Sequence, residues 1–245
     1  MEINLNKGLF FALSACLAVT FFTRNTFRNV DDIAPELLKD PVQVETEYPE
    51  GIVFSRDGYE YSLTPLYDYE ISGLIVGKMD YRVFSIDKYD SVFPGDLCII
   101  WGPNVASRVY RDRAVKFSQD CRWCWVQWYG NVGFSMRELS NNHLLINNKY
   151  LESKFNRLLR GDQVKIKGKL VSVVAEVPGK PQSRITWHSS TNREDTGGGA
   201  CEVIYVEDIQ VLRKANALSG FLFQVSLIGL GLWFLVNIIR FFKSL

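Results

Sequence analysis

The chain is poor in the residues that most often carry chemistry. Its 245 residues include two histidines, His143 and His188, and five cysteines. Any histidine-dependent mechanism must therefore use one of those two side chains. No GxSxG, HExxH or Walker A sequence occurs, so no motif points to a serine hydrolase, a zinc peptidase or a P-loop NTPase. Net charge is scarce too. The 28 Lys and Arg against 27 Asp and Glu leave +1, which gives no overall electrostatic bias toward nucleic acid. Internal repeats and low-complexity tracts are absent. What remains is apolar: 47% hydrophobic and 13% aromatic residues, the composition of an ordered chain.

The apolar residues concentrate at the two ends. Residues 8–23 carry no charge, a run of about 16, slightly short of the roughly 20 a spanning helix needs. Tilt or local thinning of the bilayer can absorb that shortfall. Residues 217–239 are uncharged and are closed by Arg240 and Lys243. The expected organisation is an N-terminal transmembrane helix or signal anchor at 1–23, a linker at 24–51, a β-rich domain at 52–212, and a C-terminal transmembrane helix with a basic tail at 213–245. Two rivals exist for the first segment. One is a cleaved signal peptide. The other is a lipoprotein signal ending on Cys16, although the apolar run continues past that cysteine.

Two spans put both termini on one side and residues 24–216 on the other. The basic residues flanking the spans slightly favour a cytoplasmic domain, but long loops translocate largely regardless of charge. Cys98, Cys121, Cys124 and Cys201 form an even set that suits disulfides in an oxidising compartment, with pairing open. The expected location is an extracytoplasmic domain on a bacterial inner membrane.

Within the domain, residues 69–79 and 97–101 read as strands, with Gly73 as a candidate bulge. Residues 124–130 alternate at strand spacing. Ser140-Asn141-Asn142 is turn chemistry. Leu151, Phe155, Leu158 and Leu159 mark one helix face, ended by Gly161. Residues 162–174 and 200–212 alternate again, with a loop at 177–182 and a strand at 185–191. Residues 25–50, with Pro35, Pro41 and Pro49, read as a spacer.

Strands, one short helix, then more strands resemble an OB-fold. ISGLIVG at 71–77 is similar to its first strand, RGDQVKIKGKLV at 160–171 to the strand after its helix, and VEDIQVL at 206–212 to its closing strand. The resemblance implies a mainly β, OB-like small barrel with one short helix, flanked by two transmembrane α-helices. SNNHLL, GDQVKIKG and TNREDTGGGACE also resemble uncharacterised bacterial two-span membrane proteins, a likeness that carries no activity with it.

Three functional readings follow. The first is a membrane-anchored binding or assembly module that recognises a protein or envelope component and uses no cofactor or metal. The second is a hydrolytic or thiol enzyme using His143 with Cys201 or a carboxylate, Asp195 among the candidates. The third is a nucleic-acid binder on the cytoplasmic face. It would use the Lys165, Lys167 and Lys169 stripe, with Trp123, Trp125 or Trp128 for stacking. The missing overall basicity and an extracytoplasmic domain both count against it. Arg193 is a further candidate binding residue. Residues 121–124 form a CxxC, but a zinc site needs two more ligands and no second CxxC exists. The glycines at 197–199 have a phosphate-loop look. They feed a strand rather than a helix N-terminus, beside three acids, so a turn is the expected role.

Overall fold

The computed structural model describes residues 2–47, 50–81, 92–197 and 199–243, without the side chains of residues 2–5. Pro49 and Gly198 lie outside the described residues. The helices are α1 (Glu2–Thr23), α2 (Gly102–Ala106), α3 (Lys149–Asn156) and α4 (Ala217–Lys243). The strands are β1 (Val42–Glu45), β2 (Ile52–Arg56), β3 (Tyr59–Asp80), β4 (Gly95–Ile100), β5 (Val115–Asp120), β6 (Trp123–Trp128), β7 (Leu139–Leu145), β8 (Gln163–Val177), β9 (Lys180–His188) and β10 (Glu202–Arg213). The chain is mainly β, as its patterning predicts.

Helices α1 and α4 are each long and apolar enough to cross a membrane by length and composition. The short apolar run at 8–23 is extended by polar residues at its start. The resulting 22-residue helix is about 33 Å long at 1.5 Å per residue. The two helices pack antiparallel. Asn6 Nδ2 donates to Asn237 Oδ1 at 3.2 Å near one end, and Thr23 Oγ1 donates to Ser219 Oγ at 3.2 Å near the other. Gly229 lets Leu13 approach closely, since a Cβ there would sit 3.1 Å from its methyls. Cys16 lies within α1, where its carbonyl accepts from Thr20.

Strand β3 organises the sheet. Its last residues pair antiparallel with β4, and most of the rest pairs with β8. Strand β4 pairs with β7, β7 pairs with β10 in parallel, and β10 pairs with β8. The path β3-β4-β7-β10-β8 thus returns to β3. One strand serves so many partners because its register shifts twice, between Pro65 and Tyr67 and between Ile75 and Gly77. Gly73 is not at either shift. It admits Ile99 instead, whose Cγ2 would lie 2.3 Å from a Cβ at that position. Ile71, Leu97, Ile99, Leu144, Ile166 and Ile204 are fully buried in the main core. The β5–β6 hairpin forms a separate two-stranded sheet, tied to β4 by the Cys98–Cys124 disulfide. Closing that 26-residue separation is worth about 3–4 kcal/mol on a chain-entropy account.

Three expectations need correction. The linker at 24–51 is in large part packed on the domain: Val30, Ala34 and Leu37 are buried, and β1 pairs with β3. Gln163 fixes it by donating to the Asp32 carbonyl (2.6 Å) and accepting from the Ala34 amide (2.8 Å). Isolated apolar residues among polar ones carry no periodic signal, so the sequence reads as a spacer. Ser140-Asn141-Asn142 is not a turn but the middle of buried β7. Strand residue Asn142 points its amide inward, donating to Leu97 O (3.1 Å) and Ser140 Oγ (2.8 Å). The loop at 177–182 shrinks to a turn at Gly179, because β9 already begins at Lys180.

Helix α3 forms as expected, with Leu151 and Phe155 buried and Gly161 at φ +94° after it. Asn148 caps it, its Oδ1 accepting from the amides of Tyr150 (2.8 Å) and Leu151 (3.3 Å). Asn148→Ala is expected to cost about 1 kcal/mol. In a melting experiment on the full chain that is a fall of about 2–4 °C.

Candidate functional site

Cross-strand register builds the site. Asp96, at the head of β4, lies directly opposite His143 of β7. The parallel β7–β10 pairing sets Glu202 against Asn142, which brings the preceding Cys201 beside Asn141. His143 Nδ1 lies 2.9 Å from Asp96 Oδ1, an ion-pair contact off the line of an ideal hydrogen bond. The other carboxylate oxygen accepts from the Tyr81 hydroxyl in a short hydrogen bond. That hydroxyl accepts in turn from the Arg122 amide at 2.9 Å. Burial and the neighbouring Asp96 charge raise the Tyr81 phenol well above its usual range, so it stays a donor.

Asp96 is fully buried and His143 nearly so. Burial alone would push the imidazole down. The close contact with the Asp96 carboxylate, joined by the influence of Cys201, outweighs it and raises His143 to about 9. The influence of Cys201 on the imidazole places its thiol near His143. Asn141 Nδ2 lies 3.7 Å from Cys201 Sγ and also donates to the Arg122 carbonyl at 2.9 Å. Gln119 locks the same amide by donating to its Oδ1 at 2.8 Å. The fold thus sets the carboxylate against the imidazole, with the thiol nearby.

The thiol opens into a cavity of about 250 Å³. Trp123 and Trp125 of β6, Met136, Asp195, Thr196, Gly197 and Ala200 line it with Cys201 and Asn141. Both tryptophans are about half exposed. Cys124 lines the same cavity and is held to Cys98, so the disulfide anchors the aromatic wall. Of the even cysteine set, only Cys98 and Cys124 pair. Cys121 and Cys201 are free, and the CxxC is not bridged within itself. Among the described residues no His, Cys, Asp and Glu cluster could hold a metal ion.

The glycine-rich segment does launch β10, with Gly197 and Gly199 at φ +89° and +93°. It is also a wall of the cavity, which the turn reading misses. Asp195 lines that wall and accepts from Ser190 Oγ at 2.5 Å. Arg193 turns inward: it donates to Tyr69 Oη at 2.7 Å and pairs with the fully buried Glu202. Burial lifts both the Glu202 carboxyl and the Tyr69 phenol, and Arg193 opposes the lift. Arg193 is therefore a structural cation that fixes the loop. The lysine stripe is neutralised by acids: Lys165 and Lys167 meet Glu70 at 3.0 and 2.9 Å, and Lys169 pairs with Asp68. His188 is remote from the site, its Nδ1 2.5 Å from Ser172 Oγ.

The sequence reading pairs His143 with Cys201 or a carboxylate and does not name Asp96. Phe93-Pro94-Gly95-Asp96 reads as turn chemistry. The available signal was a carboxylate leading straight into an apolar run. A charge at the head of a strand buried on both faces must find a partner inside. No family model, curated protein or solved structure matches the chain.

Proposed function

We propose that the chain is a membrane-anchored thiol enzyme of the acyl-transfer or hydrolytic type, with Cys201 as nucleophile, His143 as acid and base, and Asp96 as the orienting carboxylate. The observation that carries this reading is the Cys201 thiol on the cavity wall with the buried His143–Asp96 pair behind it. In the first step the thiolate adds to an acyl carbon, and the His143 imidazolium gives its proton to the leaving group. Water then attacks the thioester, His143 takes a proton from it, and Cys201 leaves as the thiolate, which restores the starting imidazolium–thiolate pair. Asn141 Nδ2 is placed to donate to the sulfur or to a developing oxyanion.

The architectural part of the proposal is an OB-like barrel on two membrane spans. The returning path β3-β4-β7-β10-β8, with β7–β10 parallel and α3 between β7 and β8, supports it. The Cys98–Cys124 disulfide favours an oxidising compartment, hence an extracytoplasmic domain on a bacterial inner membrane. There the acyl substrate would be a protein or envelope component. Nucleic acid does not fit the neutralised lysines.

Full-length protein in micelles, treated with limiting iodoacetamide and peptide-mapped, tests the reading. Cys201 is expected to react faster than Cys121 or Cys16. His143→Ala is expected to slow it by roughly 10²-fold or more, and turnover of p-nitrophenyl esters should fall in parallel. Equal reactivity of Cys201 and Cys121, unchanged by His143→Ala, would end the enzyme reading. A second reading, a binding or assembly module, rests on the exposed Trp125, Trp128 and Tyr129 of the hairpin and its end. It predicts that Cys201→Ser and His143→Ala both leave cellular function intact.

A further inference from the structure

A second cavity, of about 640 Å³, lies where the domain meets the helices. That volume is within the range of small-ligand sites, roughly 300–1,000 Å³. Arg24, the first residue after α1, and Arg160, after α3, both line it. Asn25 and Asn156 add amides, Lys78 a further cation and Asp80 a carboxylate. The level is fixed by contacts to both helices. The Arg24 guanidinium stacks over Phe223 of α4 at 3.6 Å and lies 5.5 Å from the Phe21 ring of α1. Leu159 meets the first turn of α4 at Gly220.

The two arginines are unusual in this chain. Each stacks on a ring, Arg160 over Phe27 at 4.4 Å, and each has a buried Nε without a hydrogen-bond partner. Neither forms an ion pair with a carboxylate among the described residues. Lys78, by contrast, is bound to the Phe155, Asn156 and Leu158 carbonyls at the end of α3. Half-buried guanidinium groups without counter-charge are costly until an anion arrives. Their flat faces are covered by rings, which leaves the N–H edges for a ligand. That edge geometry suits the bidentate recognition of phosphate.

We propose that this cavity binds a phosphate anion, supplied by the headgroup of an anionic phospholipid at the membrane surface. The lipid as source rests on the reading that α1 and α4 span a bilayer. The phosphate chemistry rests on the two arginines alone.

The test uses full-length protein in neutral detergent, melted while its tryptophan fluorescence is followed. Short-chain phosphatidylglycerol, short-chain phosphatidylcholine and inorganic phosphate are titrated separately. Phosphatidylglycerol is expected to raise the melting temperature saturably, with phosphatidylcholine far weaker. Arg24→Gln and Arg160→Gln should each raise the half-saturating concentration about tenfold, the effect of losing one charge-assisted contact. Ser118→Asp adds a carboxylate to the cavity lining without removing either arginine. It should weaken binding similarly while leaving the ligand-free melting temperature near wild type, which guards against misfolded variants. Inorganic phosphate matching phosphatidylglycerol would uphold the anion site and assign it to free phosphate. Equal response to both lipids with none to phosphate, or responses unchanged in all three variants, would overturn the site. Alkaline carbonate extraction of membranes tests the spanning reading separately.

Discussion

Asp96→Asn is expected to destabilise the full chain by about 3 kcal/mol, the low end for breaking a buried ion pair. The melting temperature should fall by roughly 10 °C. Asparagine keeps the shape and still offers one oxygen to Tyr81, but it removes the charge facing His143 Nδ1 at 2.9 Å. His143 can answer by shedding its proton, and that escape keeps the cost from rising further. Tyr81→Phe is the control. It deletes a hydrogen bond to Asp96 yet leaves the ion pair, so about 1–2 kcal/mol is expected. The two variants also separate at the thiol. On the proposed reading a neutral His143 no longer assists Cys201, so Asp96→Asn should slow alkylation much more than Tyr81→Phe. If Tyr81→Phe were the more damaging of the two in both assays, the carboxylate would not be the group that holds the imidazolium.

The sequence makes the regular parts of this molecule legible and hides the parts that create the site. Strands β8 and β10 and helix α3 are half-exposed, and their alternating or helical patterning follows from having one wet face. Strand β7 is buried through six of its seven residues and includes Ser140, Asn141 and Asn142. These polar residues are stable there only because the fold supplies partners: the Leu97 carbonyl, the Arg122 carbonyl and Gln119. No local pattern encodes those partners. The same holds for Asp96, whose role depends on a strand pairing across nearly fifty residues. Arg193 illustrates the opposite error. A loop arginine beside glycines suggests ligand binding, but its partner Glu202 is a buried acid that must be neutralised from somewhere. The linker was missed for a third reason: Val30, Ala34 and Leu37 bury a surface too small to leave a periodic trace.

Stability should fall as the pH is raised from about 6.5 to about 9. His143 has an ordinary value of 6.5 and is raised to about 9 in the folded chain, so the native state holds its proton more tightly than the unfolded one. The stabilisation is therefore complete below about pH 6.5 and is lost as the pH climbs through about 9. A shift of that size corresponds to on the order of 3 kcal/mol. Melting temperatures of the full chain between pH 6 and 9.5 measure it directly, and His143→Gln should flatten this part of the profile. Alkylation supplies an independent reading of the same proton. On the proposed reading the imidazolium speeds attack by Cys201 below pH 9, so wild type should react faster than His143→Gln at pH 7. Above pH 9 the imidazole is neutral and the two rates should converge. A wild-type profile that rises between pH 7 and 9, with the glutamine variant following it, would mean that His143 is held neutral. The Asp96 contact would then be that of a buried polar pair, and the proton needed for acid catalysis would have to come from elsewhere.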